Sequence, residues 1–174
     1  MKIDLACGVR KKPGFFGVDF VAHPGVVDLV WNLEKFPWPF GDEIADEVYC
    51  SHYLEHVPDF FSFFNECYRI MKMGATMEIF APYWTSMRAW QDPTHVRAIS
   101  ENTFFYVDKD SLNWAGLEQY PLKASFSCWY EFIMNDAWND PARTQEELAF
   151  AKKYNVNVID DIHAILTKKA MPHG

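Results

Sequence analysis

Four short β-prone runs crowd the first fifty residues, and the spacing between them leaves few folds open. KIDLAC (2–7), FFGVDF (15–20), VVDLVWNL (26–33) and ADEVYC (45–50) are rich in Val, Leu, Phe and Tyr, as fully buried strands are. Pro13-Gly14 and the proline-broken FPWPFGDEI (36–44) punctuate them. About ten residues join the first run to the second, too few for a crossover helix. One face of the resulting sheet is therefore expected to be thinly covered, a place where a second copy of the chain could supply the missing layer.

The first helix signal comes next, in PDFFSFFNECYRIMKMG (58–74), with Pro58 and Asp59 at its start and Gly74 as its stop. Phe60, Phe63, Phe64, Cys67 and Met71 share one face and read as core. ATMEIFAPY (75–83) follows as a fifth strand and LKASFSCWYEFI (122–133) as a sixth. Between them, residues 84–121 read as irregular, with a helix near KDSLNWAGLEQY. PARTQEELAFAKKY (141–154) reads as a helix. NVIDDIHAILTKK (157–169) alternates as an antiparallel strand with one exposed face does. The expected fold is one α/β domain over 1–174: a Rossmann-like, doubly wound, mostly parallel seven-stranded sheet whose last strand is antiparallel. The segment at about 84–121 would be an insertion that builds an acceptor pocket.

Composition narrows the function. The net charge is −8 and the only basic cluster is Arg10-Lys11-Lys12, which argues against a nucleic-acid partner. Cys7, Cys50, Cys67 and Cys128 contain no C-x-x-C pair, a pattern of reduced cytoplasmic thiols. No apolar run reaches the roughly 18 residues of a membrane span, and MKIDLACG lacks the apolar region of a signal peptide. A cytoplasmic protein with no membrane partner is expected.

SHYLEH (51–56) contains H-x-x-E-H, the spacing of one zinc-peptidase family. Such a site needs both histidines on one helical face. Residues 45–50 instead read as a strand running into them, and Pro58 limits any helix begun at His52. No metal is expected here. In a doubly wound sheet, ligands collect beyond the carboxyl ends of the strands where strand order reverses. Those ends are Ala6-Cys7-Gly8, Asp19, Asn32-Leu33 and Ser51-His52. Small residues, an acid suited to ribose hydroxyls and an amide on one edge read as a nucleoside-cofactor cleft.

DLACG, GFFGVDF, WNLEKFPWPF, ADEVYCSHYLEHV and ECYRIMKMGATMEIFAPY together resemble the successive motifs of class I S-adenosylmethionine-dependent methyltransferases. The set is closest to a compact subgroup with LGCG, GVD, SHVLEH and RVLKPGG. The resemblance covers residues 2–83 and implies S-adenosylmethionine as cofactor. It would bring Ala6, Cys7 and Gly8 to the methionine moiety and Asp19 to the ribose. Phe20 would lie beside the adenine, Asn32 and the Leu33 backbone would meet its edge, and Ser51 and His52 would close over the methionine end. Ala6 stands where the family has glycine, and KMGA replaces KPGG.

Methyl transfer is an in-line displacement, so alignment dominates and a base is needed only if the acceptor loses a proton. His95, in DPTHVR, and His52 are the candidate bases. The alternative for His95 is a capping role after a turn at Asp92-Pro93-Thr94. Tyr83, Trp84 and Trp90 are candidates for the acceptor pocket. The expected acceptor is a small molecule or a glycan-type compound, and a homodimer is expected. The competing reading is a cofactor-binding or inactive interaction module with a decayed site.

Overall fold

The computed structural model describes residues 1–172, so the last two residues of the expected domain lie outside the described part. Its strands are β1 (Lys2–Leu5), β2 (Phe16–Asp19), β3 (Leu29–Val30), β4 (Ala45–Ser51), β5 (Met71–Pro82), β6 (Phe126–Met134) and β7 (Ile159–Lys168). They form one seven-stranded sheet in the order β3-β2-β1-β4-β5-β7-β6. β1 pairs in parallel with both β2 and β4, and β2–β3 and β4–β5 are parallel too. β7 runs antiparallel to both of its neighbours, β5 and β6. The fold is the expected Rossmann-like α/β sheet with its last strand reversed. That strand lies one place in from the edge, and β6 forms the edge itself. Strand order reverses at β1, between β2 and β4, which puts the ligand crevice beyond the carboxyl ends of these strands.

Four α-helices accompany the sheet: α1 (Phe60–Ile70), α2 (Arg88–Gln91), α3 (Lys109–Trp114) and α4 (Gln145–Tyr154). Two 3-10 turns span Leu54–His56 and Glu101–Val107. Asp59 caps α1 by accepting the Ser62 N–H at 3.0 Å. Phe60, Phe63, Phe64, Cys67 and Ile70 turn inward and cluster with Ile3, Leu5, Val48, Cys50, Met77 and Ile79 of the sheet. Each large side chain so buried contributes about 1.5–3 kcal/mol.

The end of α1 differs from expectation. The helix stops at Ile70, and Met71 is already extended at the start of β5. Gly74 terminates nothing: it lies inside β5 at φ +76, where the register passes from Ala45↔Met71 to Glu47↔Thr76. The glycine's freedom is spent on a bulge that absorbs the extra residues of β5.

On the sheet face that carries Tyr49 and Glu78, the 6–15 loop packs over the β1 end. Lys12 pairs with Glu78 and lies over the Tyr49 ring at 4.2 Å, and Phe15 meets Tyr49 edge-on at 6.1 Å. Further along, Phe80 stacks on His163 at 4.3 Å, and Trp129 meets the same imidazole edge-on at 6.0 Å. Among the described residues, no helix is long and apolar enough to cross a membrane.

Candidate active site

At the reversal point the strand ends open into a cavity of about 490 Å³, lined by Ala6, Asp19, Phe20, Trp31, Asn32, Leu33, Glu34, His52, Tyr53, His56 and Thr94. Six of the nine expected cofactor residues line it. The chain leaves β1 through Ala6 at φ +55 and turns again through Gly8 at φ +53. The first of these angles explains the family's glycine: a left-handed residue with a Cβ costs about 1–2 kcal/mol. No atom would lie within 4 Å of a Cβ built on Gly8, so no packing there requires glycine; its positive φ does.

Asp19 is buried and binds its own loops: its Oδ2 accepts the Gly8 N–H and its Oδ1 the Val21 N–H, both at 2.9 Å. A carboxylate has about four lone-pair positions, so two remain for ribose hydroxyls. Phe20 is 74% exposed at the mouth, a ring free to cover a flat base. Trp31 is held by its indole N–H to the Lys35 carbonyl at 3.2 Å. Asn32 spends its Oδ1 on the Glu34 N–H at 2.9 Å, which leaves its amide N–H groups for a ligand.

This side of the cleft is fixed from below. The buried Trp38 donates its indole N–H to the Leu33 carbonyl at 3.0 Å and its backbone N–H to Glu66 Oε1 at 2.6 Å. Arg69 completes the brace, binding Glu66, the Phe40 and Trp38 carbonyls and Asp42. Helix α1 thus sets the height of the 31–34 loop.

Cys7, Gly8 and Ser51 do not line the cavity. The Cys7 N–H continues the ladder to the Val18 carbonyl at 3.1 Å, and its thiol is pushed up to about 11 by burial, beside the Asp4 and Asp19 carboxylates. Ser51 is the last paired residue of β4, opposite Phe80. Trp31, Glu34, Tyr53, His56 and Thr94 are the wall residues that sequence reasoning missed. Trp31 follows a strand and invited a core reading, and Thr94 arrives from forty residues away in the chain.

A second, smaller cavity of about 220 Å³ adjoins the first and shares His52 and His56 with it; Glu55, Pro82, Arg88, Gln91, Asp92 and His95 complete its wall. His52 sits on the seam at φ +52, a strained position for a residue with a Cβ. The Glu55 carboxylate, 3.6 Å from its Nδ1, raises the imidazole above its ordinary value, against desolvation. The 54–56 turn is 3-10 and excludes His52, so the helical zinc face of H-x-x-E-H does not form.

DPTHVR is tied to this turn. The Val96 N–H donates to the Glu55 carbonyl at 2.9 Å, and Arg97 reaches the Val57 and Pro58 carbonyls. The Thr94 N–H on Asp92 Oδ1 makes the expected turn, and His95 Nδ1 lies 3.0 Å from the Ala89 carbonyl of α2. His95 is therefore both anchored and part of the pocket, so the two candidate bases do meet in one cavity. Tyr83, Trp84 and Trp90 do not reach it. Tyr83 is buried with its hydroxyl on Glu101, and the two tryptophans line a separate groove against residues 152–157.

Residues 18–79 match the methyltransferase domain family. Among solved structures, the chain is similar to an S-adenosylmethionine-dependent methyltransferase of Archaeoglobus fulgidus, at 19% identity and a TM-score of 0.66, covering 97% of this chain and 85% of that one. It is also similar to such a methyltransferase of Mesorhizobium loti (14% identity, TM-score 0.58, 96% and 90% covered). A third likeness is to geranyl diphosphate C-methyltransferase of Streptomyces coelicolor A3(2) (14%, 0.57, 96% and 69%). No curated protein sequence matches it. The structural likenesses establish the fold, and the domain match covers residues 18–79 of the 174. The fold around the cleft is the one that these S-adenosylmethionine-dependent methyltransferases share.

Proposed function

We propose that the chain is a class I S-adenosylmethionine-dependent methyltransferase and that it methylates a small polar acceptor, a small molecule or glycan-type compound, held in the 220 Å³ cavity beside the larger cleft. The observation that carries this is the shared wall: His52 and His56 belong to both cavities, so a ligand in each would meet there. Three imidazoles, three acidic side chains or amides and one guanidinium line the smaller cavity with little apolar surface, which suits an acceptor rich in hydroxyl or amine groups.

The larger cleft fits S-adenosylmethionine in the character of its walls. Asp19 retains lone pairs for a ribose, Phe20 and Trp31 offer rings for the adenine, and the small side chain of Ala6 leaves space at the methionine end. When bound, the cofactor supplies an electrophilic methyl group on a sulfonium. The chain's part is to hold the acceptor in line with it, and such alignment lowers the barrier by about 7–11 kcal/mol. His52 faces the seam and takes the acceptor's proton where one must leave, a contribution of roughly 10²–10⁴-fold. His95 presents Nε2 to the same cavity.

Titrating the purified chain with S-adenosylhomocysteine by calorimetry tests the cleft. Wild type binds one equivalent, and Asp19→Asn weakens binding at least about tenfold, since an amide donates where ribose hydroxyls need acceptors. A folded wild type that binds none overturns the assignment. An acceptor screen over hydroxyl and amine compounds, with His52→Gln as the control, then tests the chemistry.

A homodimer is part of the same reading. Edge strand β6, FSCWYEFIM, carries no Lys or Pro to block pairing, and Trp129, Tyr130 and Ile133 are exposed on it. A second copy can pair with this edge about a two-fold axis, each strand meeting its own antiparallel image. A cytoplasmic location fits four cysteines that are all free thiols.

A further inference from the structure

We infer that Glu55, His56 and His95 form a binding site for a divalent transition-metal ion at the floor of the acceptor cavity. One ligand atom from each lies within 4.8 Å of the other two. This trio differs from the histidine pair of H-x-x-E-H: His95 replaces His52, and it arrives through the fold.

Three observations point to a cation. First, Glu55, a wall residue of the cavity, is 2% exposed, and its Oε2 is buried with no hydrogen-bond partner, while Oε1 is the oxygen that faces His95. A buried carboxylate oxygen without a partner costs several kcal/mol unless a cation or donor fills the place. Second, His95 Nδ1 faces the Ala89 carbonyl, which can only accept, so that nitrogen carries the proton and Nε2 offers its lone pair. That Nε2 stands 3.9 Å from Glu55 Oε1.

Third, His56 is held in the same way. Thr94 Oγ1 lies 2.7 Å from Asp92 Oδ1 and 3.0 Å from His56 Nδ1. Its single proton goes to the carboxylate, so the hydroxyl accepts from Nδ1–H and leaves Nε2 as the free nitrogen of His56. An outer carbonyl, hydroxyl or carboxylate that fixes the tautomer is what metal-ligating histidines require.

Two imidazoles and one carboxylate suit Zn²⁺, Mn²⁺, Fe²⁺ or Co²⁺ and leave coordination positions open. Metal–ligand bonds of about 2.0–2.1 Å put tetrahedral neighbours roughly 3.3 Å apart. His95 and Glu55 close to that distance by small side-chain rotations. The open positions face the cavity shared with His52, Arg88 and Gln91. On the methyltransferase reading proposed above, they would bind the acceptor's own oxygen or nitrogen and make it easier to deprotonate.

The untagged chain, stripped by chelator and checked for folding by circular dichroism, is titrated separately with ZnCl₂, MnCl₂ and CoCl₂. Visible absorption of the Co²⁺ form reports its coordination. The expected result is one equivalent of at least one metal, with His95→Ala and Glu55→Gln each weakening binding more than roughly tenfold. Thr94→Val, which touches no metal, weakens it as well and guards against a variant that fails to fold. Absence of binding by folded wild type overturns the site, as does unchanged binding in folded His95→Ala and Thr94→Val. S-adenosylhomocysteine titrated into the same samples separates the two inferences: cofactor binding without metal binding removes the metal site alone.

Discussion

At the scale of single residues, two strained positions flank the cleft, Ala6 at φ +55 and His52 at φ +52. They differ in what the strain achieves. Ala6 lies on the loop at the end of β1, where its methyl packs only partly against the core, so Ala6→Gly should stabilise the protein by about 0.5–1 kcal/mol. A thermal melt of the two proteins checks this, and an unchanged or lower midpoint would contradict it. His52 spends the same kind of strain on placing an imidazole between two cavities. Neither angle was legible in the chain, although the family's glycine pointed to the first. The buried Glu55 was equally hidden: SHYLEH named the residue, and only the folded turn showed it enclosed by His52, His56 and His95.

At the scale of elements, helix α1 reaches the cleft wall through Glu66. Glu66 joins Arg69 to the Trp38 N–H, and Trp38 holds the Leu33 carbonyl. Glu66→Ala should cost about 3 kcal/mol, the low end for breaking such a pair because Arg69 remains 27% exposed. It should also weaken S-adenosylhomocysteine binding while leaving every wall residue in place; a variant that loses stability but binds as wild type would detach the brace from the site. Helix α4 starts in a reciprocal capping box between Thr144 and Glu147. Thr144→Ala should loosen that end by about 1 kcal/mol, read as faster amide exchange over 145–148. The Thr144 backbone N–H holds the Glu147 carboxyl below its ordinary 4.5. The cap's contribution is therefore complete above that value and fades as pH falls through the lowered folded one. Protection at the α4 start, taken relative to the intrinsic exchange rate at each pH, should fall only in that acid range. Element identity was largely readable from runs and caps, whereas the end of α1 was not, because Gly74 serves a bulge as readily as a helix stop.

At the scale of the whole molecule, the sheet ends in the exposed edge strand β6. α1 packs its aromatic face on the core, whereas Tyr49, Phe80, His163 and Trp129 form a ladder of rings beside the 6–15 loop. Sedimentation should find a dimer that Trp129→Lys or Ile133→Lys converts to monomer, and a wild-type monomer at all concentrations would exclude pairing through β6. The sequence by itself determined the class of fold, the antiparallel sense of the last strand and the residues at the strand ends. Those properties rest on local periodicity and on chain lengths too short for other connections. Only the tertiary structure decided which strand-end residues face the cleft and which serve the ladder, as Cys7 and Ser51 do. It alone carried Thr94 and His95 to the 54–56 turn, through hydrogen bonds from Val96 and Arg97 to backbone carbonyls. Carbonyl groups are common to every residue, so no pattern of side chains could have announced that meeting.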